Sequence, residues 1–392
     1  MESWDLEGSS QRLPVSVLTG FLGSGKTTVL NYLIQQPELS RTLVLINEFG
    51  EIGLDHDLVT HSQDEVVIEM ASGCLCCTIR GDLAKTLREA PARFARGGEL
   101  WFDRVIIETT GLADPAPILH TLMTDRSIAR RYRLDGVIAT VDAVNGDNTL
   151  DRQVESVKQA AVADRLLITK ADLADTDSLH KLQKRLKDLN PAAPHIITRN
   201  GEADPVVLFD AGLYNPKTKS LDVQNWLKAE AYSDPHSHEH ASHDHGHGHH
   251  HDHDHDHGHD HHHDVNRHDA HIKALCLTIE EPIEATAFEL WLDLLFEFRG
   301  ADLLRTKGII NVAGMEGPVV IHGVQHIFHP AVTLEEWPSD DHRSRIVFIT
   351  RGIDEDTLRD TLKMLEADRG HQPVVTVDGV GEPGFIRNGL RK

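Results

Sequence analysis

The sequence predicts an α/β chain: a mainly parallel sheet with a phosphate-binding loop after its first strand, then a smaller α+β domain, the two joined by a histidine-rich linker. Three observations carry that prediction. Gly20-Phe21-Leu22-Gly23-Ser24-Gly25-Lys26-Thr27-Thr28 fits the phosphate-loop pattern at every position. Up to about residue 198, short β-branched runs alternate with stretches of helical spacing, as units around a parallel sheet do. Composition then changes abruptly: between His236 and His271 lie 18 of the 28 histidines, with eight acidic residues and almost nothing apolar.

Residues 1–12 read as a disordered lead-in, and 13–230 as the first domain. Pro14 to Leu18 is a buried strand, and Thr28 to Gln36 opens a helix with Leu30, Leu33 and Ile34 on one face. Thr42 to Ile46 is the next strand, running into the acidic, glycine-punctuated loop Asn47 to Asp55. Glu48 and Glu51 there can face a nucleotide's metal ion or stand solvated. Val66 to Met70 is extended, and Gly81 to Arg88 begins an amphipathic helix. Arg104 to Glu108, Leu134 to Asp142 and Arg165 to Thr169 are further strands, with a helix predicted over Asp151 to Ala160. A helix from Ser178 to Leu189 and a strand from His195 to Thr198 follow.

The chemistry starts at the glycine loop. Its glycines let the backbone wrap phosphate oxygens, and amide hydrogens of the loop and helix N-terminus point at the anion. Lys26 adds a full positive charge, and Thr27 offers its hydroxyl to magnesium. Gly20, Gly23, Ser24, Gly25 and Thr28 complete the cradle. Glu108 ends its strand three residues before Gly111, an arrangement that in phosphate-loop enzymes contacts magnesium or its water and senses the terminal phosphate. Lys26, Thr27 and Glu108 are therefore the predicted catalytic residues. Asp114 and Pro115 read equally as a helix N-cap and first helical residue.

Thr169-Lys170-Ala171-Asp172 is one letter from the Asn-Lys-x-Asp sequence that reads guanine. A carboxylate at Asp172 accepts from the ring N–H and the exocyclic amine of guanine, a donor pair adenine lacks, while the Lys170 stem covers the base plane. GTP is the expected nucleotide. Thr169 cannot make every hydrogen bond of asparagine, so a more weakly braced loop is expected.

Cys74, Cys76 and Cys77 stand in Gly73-Cys74-Leu75-Cys76-Cys77, apart from the one remaining cysteine, Cys276. Thiolates at i, i+2 and i+3 of a turning backbone can converge on a soft or borderline ion such as zinc, copper(I) or iron. The fourth ligand stays open among glutamate, histidine and water. The tract 231–271 reads as a hydrated linker that binds several divalent ions weakly, losing them as its imidazoles protonate near pH ~6.5.

From Ile272 a second domain, to about residue 370, reads as helices on one face of a mainly antiparallel sheet. Its strands are Ile272 to Ile279, Leu303 to Asn311, Val319 to Phe328 and Arg345 to Thr350; its helices are Glu284 to Phe298 and Asp354 to Leu365. On a single strand His322 and His326 share a face and His329 takes the other, which suits polar residues of an exposed face or domain interface better than a metal site. Residues 371–392 read as a tail.

A formal net charge of -23 argues against a nucleic-acid partner. No apolar run approaches the ~20 residues of a membrane span, and the polar start lacks a signal peptide, so a cytoplasmic protein is expected.

Together Gly20 to Thr28, Asn47 to Asp55, Gly73 to Cys77, Glu108 to Pro115 and Thr169 to Asp172 resemble the CobW-type GTPases, relatives of the urease and hydrogenase nickel-insertion GTPases. Residues from Ile272 to Leu365 resemble the domain that follows the GTPase in that family, which also admits threonine at the position of Thr169. The resemblance implies a P-loop GTPase that hydrolyses GTP with magnesium and carries zinc, or another divalent metal such as cobalt, to a metal-dependent client protein. It implies that the cysteine loop holds the metal; the expected ligands here are Cys76 and Cys77, completed by Cys74 and Glu48. No glutamine or arginine is identifiable as the group positioning the attacking water, so slow intrinsic turnover is expected. Two other readings compete: a GTP-regulated metal store built on the histidine tract, and an ATP-dependent phosphotransferase with structural cysteines. Oligomeric state stays open, a nucleotide- or metal-dependent dimer included.

Overall fold

In the computed structural model, residues 12–48, 66–71, 77–209, 272–328 and 331–367 are described. The histidine tract, His329, Cys74 and Cys76 lie outside them, as do the side chains of Glu48 and Cys77.

The strands of the first domain are β1 (Leu13–Gly20), β2 (Thr42–Glu48), β3 (Val66–Ala71), the short β4 (Ala95–Arg96) and β5 (Glu99–Leu100), β6 (Arg104–Glu108), β7 (Tyr132–Asp142), β8 (Arg165–Thr169) and β9 (His195–Ile197). Seven of them form one parallel sheet in the order β3-β2-β6-β1-β7-β8-β9, with β4 and β5 a separate hairpin. Alternation along the strands divides the core. Leu18, Val44, Ile106, Ile138 and Leu167 pack with Val29, Leu30 and Leu33 of the helix Lys26–Ile34 on one face. Val17, Leu43, Leu45, Ile107 and Val137 pack on the other against helices Cys77–Arg93, Ala116–Thr124 and Val154–Val162. Burying each such side chain contributes ~1.5–3 kcal/mol, offset by chain entropy. After β1 the chain crosses to β2 on one side, and after β6 it crosses to β7 on the other. That reversal opens a crevice at the carboxyl ends of the central strands, where ligands of open α/β sheets bind.

Two predicted elements differ in this domain. The helix expected over Asp151 to Ala160 is two helices, Gly146–Arg152 and Val154–Val162, interrupted by extended backbone at Gln153. The helix expected from Gly81 begins about one turn earlier, at Cys77.

The second domain adds β10 (Ile272–Ile279), β11 (Leu303–Ile310), β12 (Val319–Val324), β13 (Ile327–Phe328), β14 (Val332–Thr333) and β15 (Ser344–Arg351). They pair antiparallel in the order β10-β15-β11-β12-β13, with β14 on β12. The single strand expected over Val319 to Phe328 is a hairpin, turning at Gln325 with φ 53. Left-handed backbone is uncommon for glutamine and carries no sequence signal there. His326 consequently sits in the turn, not on one face with His322.

Alternation gives this sheet two apolar faces as well. Leu277, Val319, Ile321, Ile346 and Phe348 pack on helices Ala285–Arg299 and Glu355–Ala367. The opposite face, through Leu304, Val324 and Ile349, joins the core of the first domain. Ionic contacts accompany that apolar seam. Arg305 pairs with Asp164 and donates to the carbonyl of Val162, and Lys307 lies 2.9 Å from the same carboxylate. Asp164 Oδ2 also accepts the amide of Val137 at 3.0 Å. His322, opposite Lys307 in register, is buried beside them. Burial alone would push the Asp164 carboxyl up, but the charges of Arg305, Lys307 and His322 hold it far below the ordinary carboxylate range.

The sign of the resulting pH dependence follows. A depressed carboxyl contributes stability in full above its unfolded value of ~3.9 and loses it as pH falls toward the folded value. Thermal melts of the wild type should therefore show this contribution unchanged from neutral pH down to about 5 and lost progressively below about 4. In Asp164→Asn the melting temperature should already be lower at pH 7, with the acid-dependent component missing.

Candidate functional site

The predicted nucleotide residues converge at the carboxyl ends of β1, β6 and β8. Three glycines of the loop have positive φ: Gly20 at 143, Gly23 at 72 and Gly25 at 88. At Gly20 an added Cβ would stand 2.1 Å from Thr140 Oγ1 and 2.6 Å from its carbonyl, so no larger residue fits. Gly25, the N-cap of helix Lys26–Ile34, provides no side-chain cap, which leaves that N-terminus suited to an anion. Lys26 is buried, its ammonium donating to the carbonyls of Gly20 (3.0 Å) and Phe21 (3.3 Å). The loop is thus closed over a cation that phosphate oxygens can attract.

Thr27 Oγ1 donates to Glu108 Oε1 at 3.1 Å, across the boundary between β1 and β6. A hydroxyl and a carboxylate facing one another are hard oxygen donors of the kind magnesium takes. Next to them, Thr109 Oγ1 donates to Thr19 Oγ1 at 2.8 Å. The loop then brings Gly111 against the phosphate loop, where a Cβ would meet the amide nitrogen of Leu22 at 2.6 Å. The glycine after Glu108 is therefore required by the close approach of two loops. Asp114 accepts the amide of Ala116 at 3.0 Å, and Pro115 precedes the helix as its N-cap rather than its first residue.

The segment predicted to read the base is more firmly tied than expected from its threonine. Thr169 Oγ1 donates to the carbonyl of Ser24 at 2.7 Å and to that of Val141 at 3.3 Å, so it braces the phosphate loop directly. Lys170, in the left-handed region at φ 55, donates to Gly23 O at 2.7 Å and to Asp142 Oδ2 at 2.8 Å. Burial works against the charge of Asp142, but hydrogen bonds from Lys170 and Asn145 overcome it and its carboxyl titrates below the usual value. Asp172 is exposed, its Oδ1 accepting from the amide of Asn200 at 3.4 Å.

Three residues of this arrangement escaped sequence reasoning. Thr140 shares a hydrogen bond of 2.6 Å with Ser24 Oγ, Asp142 holds Lys170, and Asn200 aims Asp172. The first two end β7, whose place beside β1 only the sheet order discloses. Asn200-Gly201 after β9 was a legible turn signal, with φ 52 and 77.

Residues 14–197 match the CobW/HypB/UreG nucleotide-binding domain, and residues 272–366 match the cobalamin synthesis protein cobW C-terminal domain. The chain belongs to the CobW family. Its first domain is a P-loop GTPase domain and its second the antiparallel C-terminal domain of that family. This CobW-family chain is 28% identical over 349 residues to the zinc chaperone YjiA of Escherichia coli, covering 88% of this chain and 96% of that protein. The zinc chaperone CobW of Pseudomonas aeruginosa is 33% identical over 216 residues, 47% of this chain and 56% of that one. A crystal structure of Zn(II)-bound YjiA GTPase from E. coli superposes with a TM-score of 0.63 at 27% identity, covering 90% of this chain and 99% of that one.

The predicted metal ligands can be followed only by backbone. In register, Glu48 pairs with Ala71, three residues before Cys74, and Ile46 pairs with both Glu69 and Glu108. The strand before the thiol segment thus ends on the same carboxyl side of the sheet as Glu108. Among the described residues no group of three or more His, Cys, Asp or Glu is arranged to hold a metal ion. Cys276 is partly buried, and burial pushes its thiol up to about 11. Among the described residues no helix is long and apolar enough to cross a membrane.

Gly20→Ala tests the close approach at the loop. With a Cβ at 2.1 Å from Thr140 Oγ1 and a φ that alanine resists, the loop must shift; GTP and GDP affinity should fall at least tenfold together. Calorimetric titration of the two nucleotides checks this, and a variant binding both at wild-type strength would remove the steric argument.

Proposed function

We propose that this chain is a GTP-hydrolysing metallochaperone that binds zinc, or a similar divalent metal such as cobalt, at Cys74, Cys76 and Cys77 with Glu48, and hands it to a client protein in a nucleotide-dependent step. One observation carries the reading: β2, which ends at Glu48, and β3, which leads into the cysteine segment, both end at the carboxyl side of the sheet, two residues beyond the register level of Glu108, and β2 adjoins β6, whose Glu108 pairs with Thr27. Relatives named as zinc chaperones, and a zinc-regulated GTPase metalloprotein activator of Schizosaccharomyces pombe that is 32% identical over 226 residues and matched over 54% of its length, support zinc as the cargo.

In this reading Lys26 and the amides of the loop bind the outer phosphates, Thr27 and Glu108 hold magnesium, and Asp172 with Lys170 reads guanine. Magnesium, when bound, neutralises charge developing on the β- and γ-phosphates. In the same reading the amide of Gly111, a residue that lies against Leu22 of the phosphate loop, reports the terminal phosphate. A metal site completed by Glu48 from one strand end and thiolates from the next is assembled in one nucleotide state and loosened in the other. A hundredfold difference in zinc affinity requires about 2.7 kcal/mol of coupling, within the range of loop rearrangements.

Linkage tests the coupling in both directions. Zinc should bind more tightly with a non-hydrolysable GTP analogue than with GDP, and should tighten the analogue relative to GDP by the same factor. Competition titrations in protein lacking His236 to His263 measure both, and Cys76→Ser with Cys77→Ser should erase the difference because a hydroxyl is a poor soft-metal ligand. Equal zinc affinity in the two states would sink the delivery step and leave a GTP-regulated metal store.

Guanine selection has its own check. Asp172→Asn should weaken GTP by ~10² or more while leaving the weak affinity for ATP unchanged, since a carboxylate accepting two donors is replaced by an amide that accepts one. An unchanged GTP-to-ATP ratio would favour the phosphotransferase reading.

A further inference from the structure

We propose that Gln159 is a positioning residue for the loop Glu108–Asp114, and that the C-terminal domain controls that loop by holding the same helix one turn further along. The inference rests on the reading of Gly111 as the terminal-phosphate contact.

Gln159 stands on the helix Val154–Val162 and is 1% exposed. Its Nε2 donates to the carbonyls of Gly111 at 3.2 Å and Ala113 at 2.9 Å. Two carbonyl acceptors admit only the NH₂ end of the amide, so the side chain has one orientation. Its Oε1 has no hydrogen-bond partner among the described residues. An apolar residue of the same volume would pack there at lower cost, and the service glutamine performs is to the loop carbonyls. One position earlier, Lys158 Nζ lies 3.3 Å from Asp114 Oδ2. Gly111 is therefore gripped from two sides, by Leu22 of the phosphate loop and by Gln159 from behind.

The far end of this helix belongs to an interdomain contact. Asn190 Nδ2 donates to the carbonyls of Ala160 (2.9 Å), Ala161 (3.1 Å) and Ala163 (2.9 Å), which are otherwise exposed by the helix terminus. Arg305, from β11 of the second domain, donates to Val162 O and pairs with Asp164 beside Lys307. Cations at a helix C-terminus also complement its dipole. From Gln159 to Val162 is three residues, about 4.5 Å of helix, too short a span to absorb a displacement by bending.

A second contact reaches the other side of the loop. The helix Ala116–Thr124 follows directly after Pro115, and His120 on it faces His326 of the β12–β13 turn with ring centroids 6.1 Å apart. The helix behind the Gly111 loop and the helix that follows it thus both touch the second domain. A movement of that domain on the first shifts Gln159 and its two carbonyls; reciprocally, a terminal phosphate that draws Gly111 inward pulls on the Arg305 contact. A client or metal acting on the C-terminal domain would by this route change the hydrolytic state of the nucleotide.

The test uses the full-length protein with magnesium, GTP, GDP and a non-hydrolysable GTP analogue. Gln159→Met keeps volume and removes both donors. It should weaken the analogue about tenfold and lower kcat, with GDP affinity held within about twofold, because GDP has no terminal phosphate for Gly111 to meet. Arg305→Met should shift the analogue-to-GDP ratio in the same direction by a smaller factor, and the double variant should be no worse than Gln159→Met alone. Retained GDP binding reports that each variant is folded; if Arg305→Met is not, Arg305→Lys, which keeps the charge beside Asp164 but cannot bond both Asp164 and the carbonyl of Val162, carries the same readout. Equal weakening of GDP and analogue would make Gln159 a merely structural residue, and additive losses in the double variant would break the interdomain link. Lys26→Ala, measured alongside, separates the two levels: hydrolysis persisting there overturns the nucleotide reading and the inference with it, whereas hydrolysis lost there with an unchanged ratio in Gln159→Met overturns the inference alone.

Discussion

A loop whose amides must all point inward has its carbonyls pointing elsewhere, and the nucleotide end of this molecule depends on what receives them. Gly20 O and Phe21 O accept from Lys26, Gly23 O from Lys170, and Ser24 O from Thr169. Two of the three donors come from the end of β8, on the far side of β7. Residues of the segment predicted to read the base are therefore also those that brace the phosphate cradle. A threonine at position 169 suffices for this because its hydroxyl reaches a backbone acceptor, whichever of asparagine's other bonds it forgoes.

The same economy shapes the contact between domains. β-Strand alternation gives the second sheet one face for its own helices and another for the nucleotide domain, and the cations Arg305 and Lys307 lie on the second. Buried ion pairs contribute little net stability against an apolar alternative, because desolvation offsets their attraction. Their geometric demand is strict, however, and here it falls on the last turn of one helix and on Asp164 just beyond it. Orientation of one domain on the other is what such a pairing specifies well.

Legibility in the sequence followed the range of the interaction. Local patterns marked β6 and β8 and the second domain's first strand to the residue, since strands bounded by turn residues with continuous apolar runs have few alternatives. The hairpin at Gln325 was missed because neither glycine nor asparagine stands at its positive φ, and the break at Gln153 because helical spacing persists on both sides of it. Gln159 was invisible for a related reason: a lone glutamine in an amphipathic helix has no periodicity of its own.

By itself the sequence determined the chemistry available: a phosphate loop with its lysine and threonine, a carboxylate at a strand end, an aspartate in a Thr-Lys-Ala-Asp segment, three clustered thiols and an acidic, histidine-laden tract. Those are properties of residue type at short spacing, which covalent connection alone enforces. Only the tertiary structure decided that Thr140 and Asp142 support the loop, that Asn200 aims Asp172, and that Arg305 reaches the helix behind Gly111. These partners are separated by tens to more than a hundred residues, and what brings them together is the strand order of two sheets, set by burial of apolar faces rather than by any local signal.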